Sequence, residues 1–184
     1  IPKPGGGSCE VFIRWESPPH NEIKLNTVGA SRGSPGIAGS GEIFKDETGN
    51  FLSAFTNAGH CSSMRAELKA PMVGLQEARR CGYRKLITHM ENNACISLVK
   101  SESLTSNNLR SIIDECRTLV NDFDGEVRLE HCYREASRAA DWLTNKGVVE
   151  NSRNTVVFLA PISGLVGIFL DDVIGISIPR ILNN

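Results

Sequence analysis

Lys24-Leu25-Asn26-Thr27-Val28-Gly29-Ala30-Ser31-Arg32-Gly33-Ser34-Pro35-Gly36 is the stretch whose reading decides the fold. Its first part alternates, with Ile23 and Leu25 on one face and Lys24, Asn26 and Val28 on the other. That period predicts a β-strand over Ile23–Ala30, and it puts Val28 on the polar face rather than in the core. The Gly/Pro/Ser cluster from Ser31 to Gly36 predicts a turn. Ile37–Lys45 and Phe51–Ala58 read as two more strands around Asp46-Glu47-Thr48-Gly49-Asn50. Three antiparallel strands therefore open the domain.

Helices follow. Ser62 or Ser63 can cap a helix running to about Cys81, with Gly82 as its stop. Leu68, Met72, Leu75 and Ala78 share one face of it, and Pro71 is placed close enough to the first turn to be tolerated. Arg84–Glu91 reads as a strand, Ala94–Lys100 as a short helix, and Leu109 to Val120 as an amphipathic helix. Asp124-Gly125 turns into a strand over Glu126–Cys132, and a last helix runs from about Ala136 to Lys146. Three strands followed by alternating helices and strands predict an α/β domain: a five-stranded mixed sheet flanked by helices.

The chain has 184 residues, 40% of them hydrophobic and 22% charged, enough for one domain with a sizeable core. Residues 1–20, with Pro2, Pro4 and Gly5-Gly6-Gly7, read as a flexible leader. Residues 21–147 read as the domain, and 148–184 as an extension packed on it. The net charge of −1 excludes a polycation, so nucleic acid would have to be bound through a local patch. Arg79-Arg80 with Arg84-Lys85 is such a patch, or else a solvated helix end. The six cysteines form no Cys-x-x-Cys pair and do not cluster with histidine, which argues against a zinc site. Most of them read as small buried hydrophobes, and a reducing intracellular compartment, cytoplasm or nucleus, is expected. Val156–Leu170, the most apolar tract, is too short and too broken to span a membrane.

Three carboxylates stand out on separate elements: Glu67 in Arg65-Ala66-Glu67-Leu68, Glu91 in His89-Met90-Glu91-Asn92, and Asp141 in Ala140-Asp141-Trp142-Leu143. Carboxylates that converge from separate elements are how a protein holds two Mg²⁺ ions for phosphodiester hydrolysis. Each also has an ordinary reading: Glu67 as an acid favoured near a helix start, Asp141 as a helix-surface acid, Glu91 as a strand-end acid. His131 taken alone reads as a packed or solvated strand histidine.

The element order and these segments, with Gly39-x-Gly41, Gly82-Tyr83-Arg84-Lys85 and Arg134-Glu135-Ala136-x-Arg138-x-Ala140-Asp141-Trp142-Leu143, resemble the type 1 ribonuclease H family over about residues 22–147. The resemblance is nearest to the reverse-transcriptase-like RNase H domains of plants. It implies an RNase H-like fold and RNA/DNA-hybrid chemistry dependent on Mg²⁺ or Mn²⁺. It matches Glu67, Glu91 and Asp141 to metal carboxylates and His131 to a mobile histidine serving proton transfer or product release. The position of the first metal Asp falls on Val28, the third acid is Glu where Asp is usual, and Ser137 stands where Asn is usual. Ser31, Arg32, Ser62, Ser63 and Met64 match positions facing a hybrid duplex, although turn and cap chemistry explains them too.

Val28 offers no oxygen, and Glu91 moves its carboxylate by roughly 1.5 Å, one methylene. A shift of about 1 Å can cost on the order of 100-fold in rate. The expectation is a nucleic-acid-binding domain for RNA/DNA hybrid or structured RNA, with Mg²⁺ or Mn²⁺ bound weakly or not at all and hydrolysis weak or lost. The alternatives are an active hybrid-specific endoribonuclease, and a protein-interaction or dimer module using the apolar tail, residues 151–184.

Overall fold

The structure, a computed structural model, describes residues 8–101, 108–151 and 153–183. Its strands are β1 (Ser8–Ile13), β2 (Ile23–Gly33), β3 (Gly36–Lys45), β4 (Phe51–Cys61), β5 (Lys85–Met90), β6 (Glu126–His131), β7 (Val156–Phe158) and β8 (Ile178–Asn183). Its helices are α1 (Ser63–Arg80), α2 (Asn93–Lys100), α3 (Arg110–Asn121), α4 (Arg138–Glu150) and α5 (Val166–Ile174), with short 3₁₀ turns at Arg134–Ala136 and Ser163–Leu165.

The main sheet runs β6-β5-β2-β3-β4-β7. β2, β3, β4 and β7 are antiparallel neighbours, while β2, β5 and β6 run parallel. This is the expected mixed sheet with six strands instead of five. The sixth, β7, comes from the tail and pairs with the outer edge of β4 at Ala54–Thr56.

The leader departs from its reading as flexible. Its first seven residues lie outside the described residues, but from Ser8 onward it forms β1, paired antiparallel with β8 from Ser8↔Asn183 to Ile13↔Ile178. Half-buried Val11 and Ile13 alternate with exposed Glu10 and Phe12, which is the period a half-covered strand needs. The glycines and prolines just before it hid that period. Trp15 beyond it is 5% exposed and donates its indole N–H to Asn26 Oδ1 at 3.0 Å.

α1 starts at the Ser62 cap, whose hydroxyl accepts from the Arg65 N–H, and ends before Gly82 at φ +73°. Pro71 is the ninth residue of α1, well past the first turn. The helix nonetheless continues through it, and the missing N–H deprives the Glu67 carbonyl of its usual partner. The last helix begins two residues later than expected, because Arg134–Ala136 closes as a 3₁₀ turn first.

Both faces of the sheet are covered. On one, Leu25, Phe44 and Phe55 pack with Leu75 and Ala78 of α1 and Leu119 of α3. On the other, Val28, Ile43 and Ala54 pack with Ala139, Ala140 and Leu143 of α4 and Leu165 of the tail. The alternation in β2 therefore separates two buried faces, not core from solvent. Lys24, Asn26 and Val28 are 4%, 2% and 4% exposed, and Val28 is a core residue after all. Two glycines allow this closeness. A Cβ at Gly29 would strike the α1 backbone at Ala66, and one at Gly41 the Ala140 carbonyl of α4.

The tail packs through its inner side. Phe169 meets Phe51, and Asp172 accepts from the buried Lys45 ammonium at 2.5 Å. Arg138 reaches both Asp171 and Asp172. On its outer side Leu170, Val173 and Ile174 are exposed. Among the described residues, no helix is long and apolar enough to cross a membrane. Cys95, Cys116 and Cys132 are buried, whereas Cys9 and Cys81 are exposed and Cys61 is intermediate, so half of the cysteines, not most, pack as core.

Candidate nucleic-acid and metal site

Ligands commonly bind beyond the carboxyl ends of parallel strands. The parallel pairing of β2, β5 and β6 stops at Thr27, Met90 and His131, so Val28, Glu91 and His131 come to the same edge, although β2 itself runs on beside β3 to Gly33. α1 brings Glu67 there by its close approach to Gly29, whose N–H also bonds the Glu67 carboxylate. α4 brings Asp141 through the Gly41 contact and through Thr144, whose hydroxyl donates to the Val28 carbonyl at 2.9 Å.

Glu67 and Glu91 are each perturbed by a neighbouring acid. Burial, then the charge of Glu91, pushes Glu67 up to about 7. Burial, then the charge of Asp141, pushes Glu91 up to about 7 as well, against the pull of Arg134 and Arg180. One oxygen of Glu91 is buried without a hydrogen-bond partner. Asp141 is engaged: Nη2 of Arg134 lies 2.8 and 3.0 Å from its two oxygens. Arg180 of β8 completes this fringe, bonding both oxygens of Glu135 at 2.9 and 3.0 Å and lying over the Tyr133 ring.

At Val28 this donor set lacks an oxygen that two Mg²⁺ ions would share. Octahedral ions need oxygen ligands at about 2.1 Å, and a pair of them needs an oxygen that both can share. Val28 instead turns a hydrocarbon branch into the cluster of Ile43, Ala140 and Leu143. Among the described residues, no three His, Cys, Asp or Glu side chains stand close enough together to hold a metal ion.

The other sequence-selected positions divide. His131 is exposed and meets Tyr133 edge-on at 5.0 Å. Ser137 is buried, within hydrogen-bonding distance of Asn26 and Cys132, and so belongs to an internal network with Trp15. The Ser31 hydroxyl lies 2.8 Å from the Gly33 carbonyl and 2.9 Å from that of Cys61, tying the ends of β2 and β4. Ser62 caps α1, Ser63 and Arg32 are exposed, and Met64 is partly buried against the α2–α3 core. Arg79 and Arg80 lie at the far end of α1, roughly 20 Å from Glu67 at 1.5 Å per residue. Arg80 pairs with Glu77 and Arg84 with Asp124. The sequence reading missed Arg134 and Arg180 as charge partners of the site. Arg134 stands in a quoted segment, but a seven-residue reach across a 3₁₀ turn is no helical spacing, and Arg180 arrives from the far end of the chain.

A sheet of three antiparallel strands continued by parallel ones, with acids at the parallel ends, defines an RNase H fold. The structure aligns with RNase H1 of Halobacterium salinarum at TM-score 0.65 and 23% identity, over 70% of this chain and 98% of that one. It aligns at TM-score 0.65 and 22% identity with LC11-RNase H1 in complex with RNA/DNA hybrid, over 70% of this chain and 98% of that one. Residues 26–147 match the reverse transcriptase-like family, and the chain belongs to it. An Arabidopsis thaliana protein, provisionally named a ribonuclease H protein, is 35% identical over 137 residues, 74% of this chain. The match spans only 22% of that relative's length.

Proposed function

We propose that this chain is a nucleic-acid-binding domain of RNase H type, for RNA/DNA hybrid or structured RNA, whose two-metal hydrolytic site has degenerated. The observation that carries the reading is Val28, a buried hydrocarbon just past the parallel β2–β5 pairing, at the edge to which Glu67, Glu91 and Asp141 are brought. Arg134 strengthens it. A guanidinium on Asp141 supplies in part the positive charge that a cation would bring, so Mg²⁺ or Mn²⁺ binds weakly or not at all. Glu67, Glu91 and Asp141 remain the residues to hold such an ion.

The substrate side is better preserved. Arg32 and Ser63 are exposed and Ser62 caps α1, the helix that carries Glu67, while Arg65 and Lys69 line a cavity of about 290 Å³ with His60 and Cys61. Small hydroxyls, backbone amides and a few cations suit the 2′-hydroxyls and phosphates of a shallow minor groove. One RNase H1 relative in fold was itself solved with RNA/DNA hybrid.

Anisotropy with a blunt RNA/DNA hybrid at low salt, run beside a cleavage assay in Mg²⁺ and in Mn²⁺, tests the reading. Binding without cleavage is the expected result. No binding at low salt removes it, and cleavage abolished by Asp141→Asn replaces it with the active endoribonuclease. The exposed Leu170, Val173 and Ile174 of α5 favour a second, compatible reading as a partner or dimer surface, which size-exclusion chromatography reads directly.

A further inference from the structure

The ribbon of β1 and β8 does more than tie the chain ends together. The segment leaving β1 lies beside the ends of β5 and β6, and between them is a cavity of about 530 Å³. That volume is within the range of about 300–1,000 Å³ typical of small-molecule sites. Phe12, Arg14 and Trp15 form one wall, and His89, His131 and Tyr133 the other. Ser177, just before β8, lines it too. The first wall and Ser177 lie outside residues 26–147, so the family domain alone does not build this cavity.

Its chemistry is aromatic and close to charge-neutral. Phe12 stands 65% exposed at the edge. Tyr133 is braced, with the Arg180 guanidinium 4.6 Å from its ring centre and the His131 ring edge-on to it. The one cation on the rim, Arg14, is balanced by Glu16 at 3.7 Å. A neutral cavity walled by rings is a poor phosphate site and a good one for a planar heteroaromatic ring.

Position names the ring. His131 and Tyr133 line the cavity, and His131 also stands at the strand ends beside the acid cluster. A strand bound along those ends passes the cavity mouth. We propose that the cavity takes an unpaired nucleobase from a nucleic acid bound at the candidate site, stacked on Phe12 and Tyr133. The extension thereby gives the domain a preference for hybrids carrying a single-stranded nucleotide. This rests on the nucleic-acid reading above and deepens it.

The test uses the full chain and three probes: a blunt RNA/DNA hybrid, and the same hybrid with a short RNA or DNA overhang containing 2-aminopurine. Tighter binding of overhanging probes, with quenched 2-aminopurine fluorescence, is expected. Phe12→Ala should weaken overhang binding by about tenfold, the loss of one stacked base, and leave the blunt hybrid unchanged. Phe12→Trp should restore it. A gain for only the RNA or only the DNA overhang names the strand that supplies the base. Equal affinity of the wild type for blunt and overhanging probes overturns the base site alone. So does a Phe12→Ala loss shared by all three probes. Failure to bind any of them overturns the parent reading and this one with it.

Discussion

Val28 is packed among Ile43, Ala140 and Leu143, so an Asp there would bury an acid without a partner. That costs about 1–3 kcal/mol, or a fall of roughly 2–10 °C in Tm for a chain of this size. The same Asp supplies the missing oxygen beside Glu67 and Glu91. We therefore expect Val28→Asp to melt lower than wild type in chelator and to recover in Mg²⁺, with a larger recovery when combined with Arg134→Ala. Melts with and without Mg²⁺ read this, and a Mg²⁺-indifferent loss would count against the site assignment. The acids also set a pH dependence. Glu67 and Glu91 are raised to about 7 and Glu42, buried inside β3, to about 8. Their protonated forms favour the fold, so stability is full below about 4.5 and is lost as pH rises toward 7 to 8. His89, lowered to about 3, works the other way between 6.5 and 3 but is one group against three. Tm should fall from pH 5.5 to pH 8, and fall less in Glu91→Gln. At this scale motif spacing selected Glu67, Glu91 and Asp141, which the fold brings toward one edge of the sheet. The sequence reading misjudged Val28, because a period of two distinguishes faces without saying what covers each one.

The central elements were readable because turn chemistry brackets them: Ser62 before α1, Gly82 after it, Asp124-Gly125 before β6. The outer elements were not. β1, β7 and β8 are short and reach their partners across most of the chain, with Ser8 opposite Asn183, and no local pattern encodes such a pairing. α5 is held by a partner equally remote in sequence. Lys45 is 1% exposed and burial lowers its pKa, while the carboxylate of Asp172 supports its charge against that burial. Removing one member of a buried pair leaves the other charge uncompensated, at about 3–5 kcal/mol. Asp172→Asn should lower urea stability by an amount of that order, with partial relief at high pH as Lys45 gives up its proton. A loss below about 1 kcal/mol would mean that solvent reaches the pair and that α5 is loosely seated.

Across the whole molecule charge nearly cancels, 20 Lys and Arg against 21 Asp and Glu. A chain with no net attraction for a polyanion must bind through the few cations placed at the site, and their number sets the salt dependence. Arg134 and Arg180 are already engaged by Asp141 and Glu135, which leaves exposed Arg32 with Arg65 and Lys69 of the cavity lining, whereas Arg79, Arg80, Arg84 and Lys85 gather around the far end of α1. If about three phosphates are neutralised, log K falls against log salt with a slope near −2.7, or about 40-fold between 50 and 200 mM. We expect hybrid affinity to follow that slope, and Arg32→Ala to reduce it by about one. A slope steeper than about −5 would require the distant cluster to join the interface, and Arg79→Ala with Arg80→Ala would then flatten it. A slope near zero would mean that phosphates are not the main contact, and the surface beside Ser62 and Ser63 would lose its part in the reading.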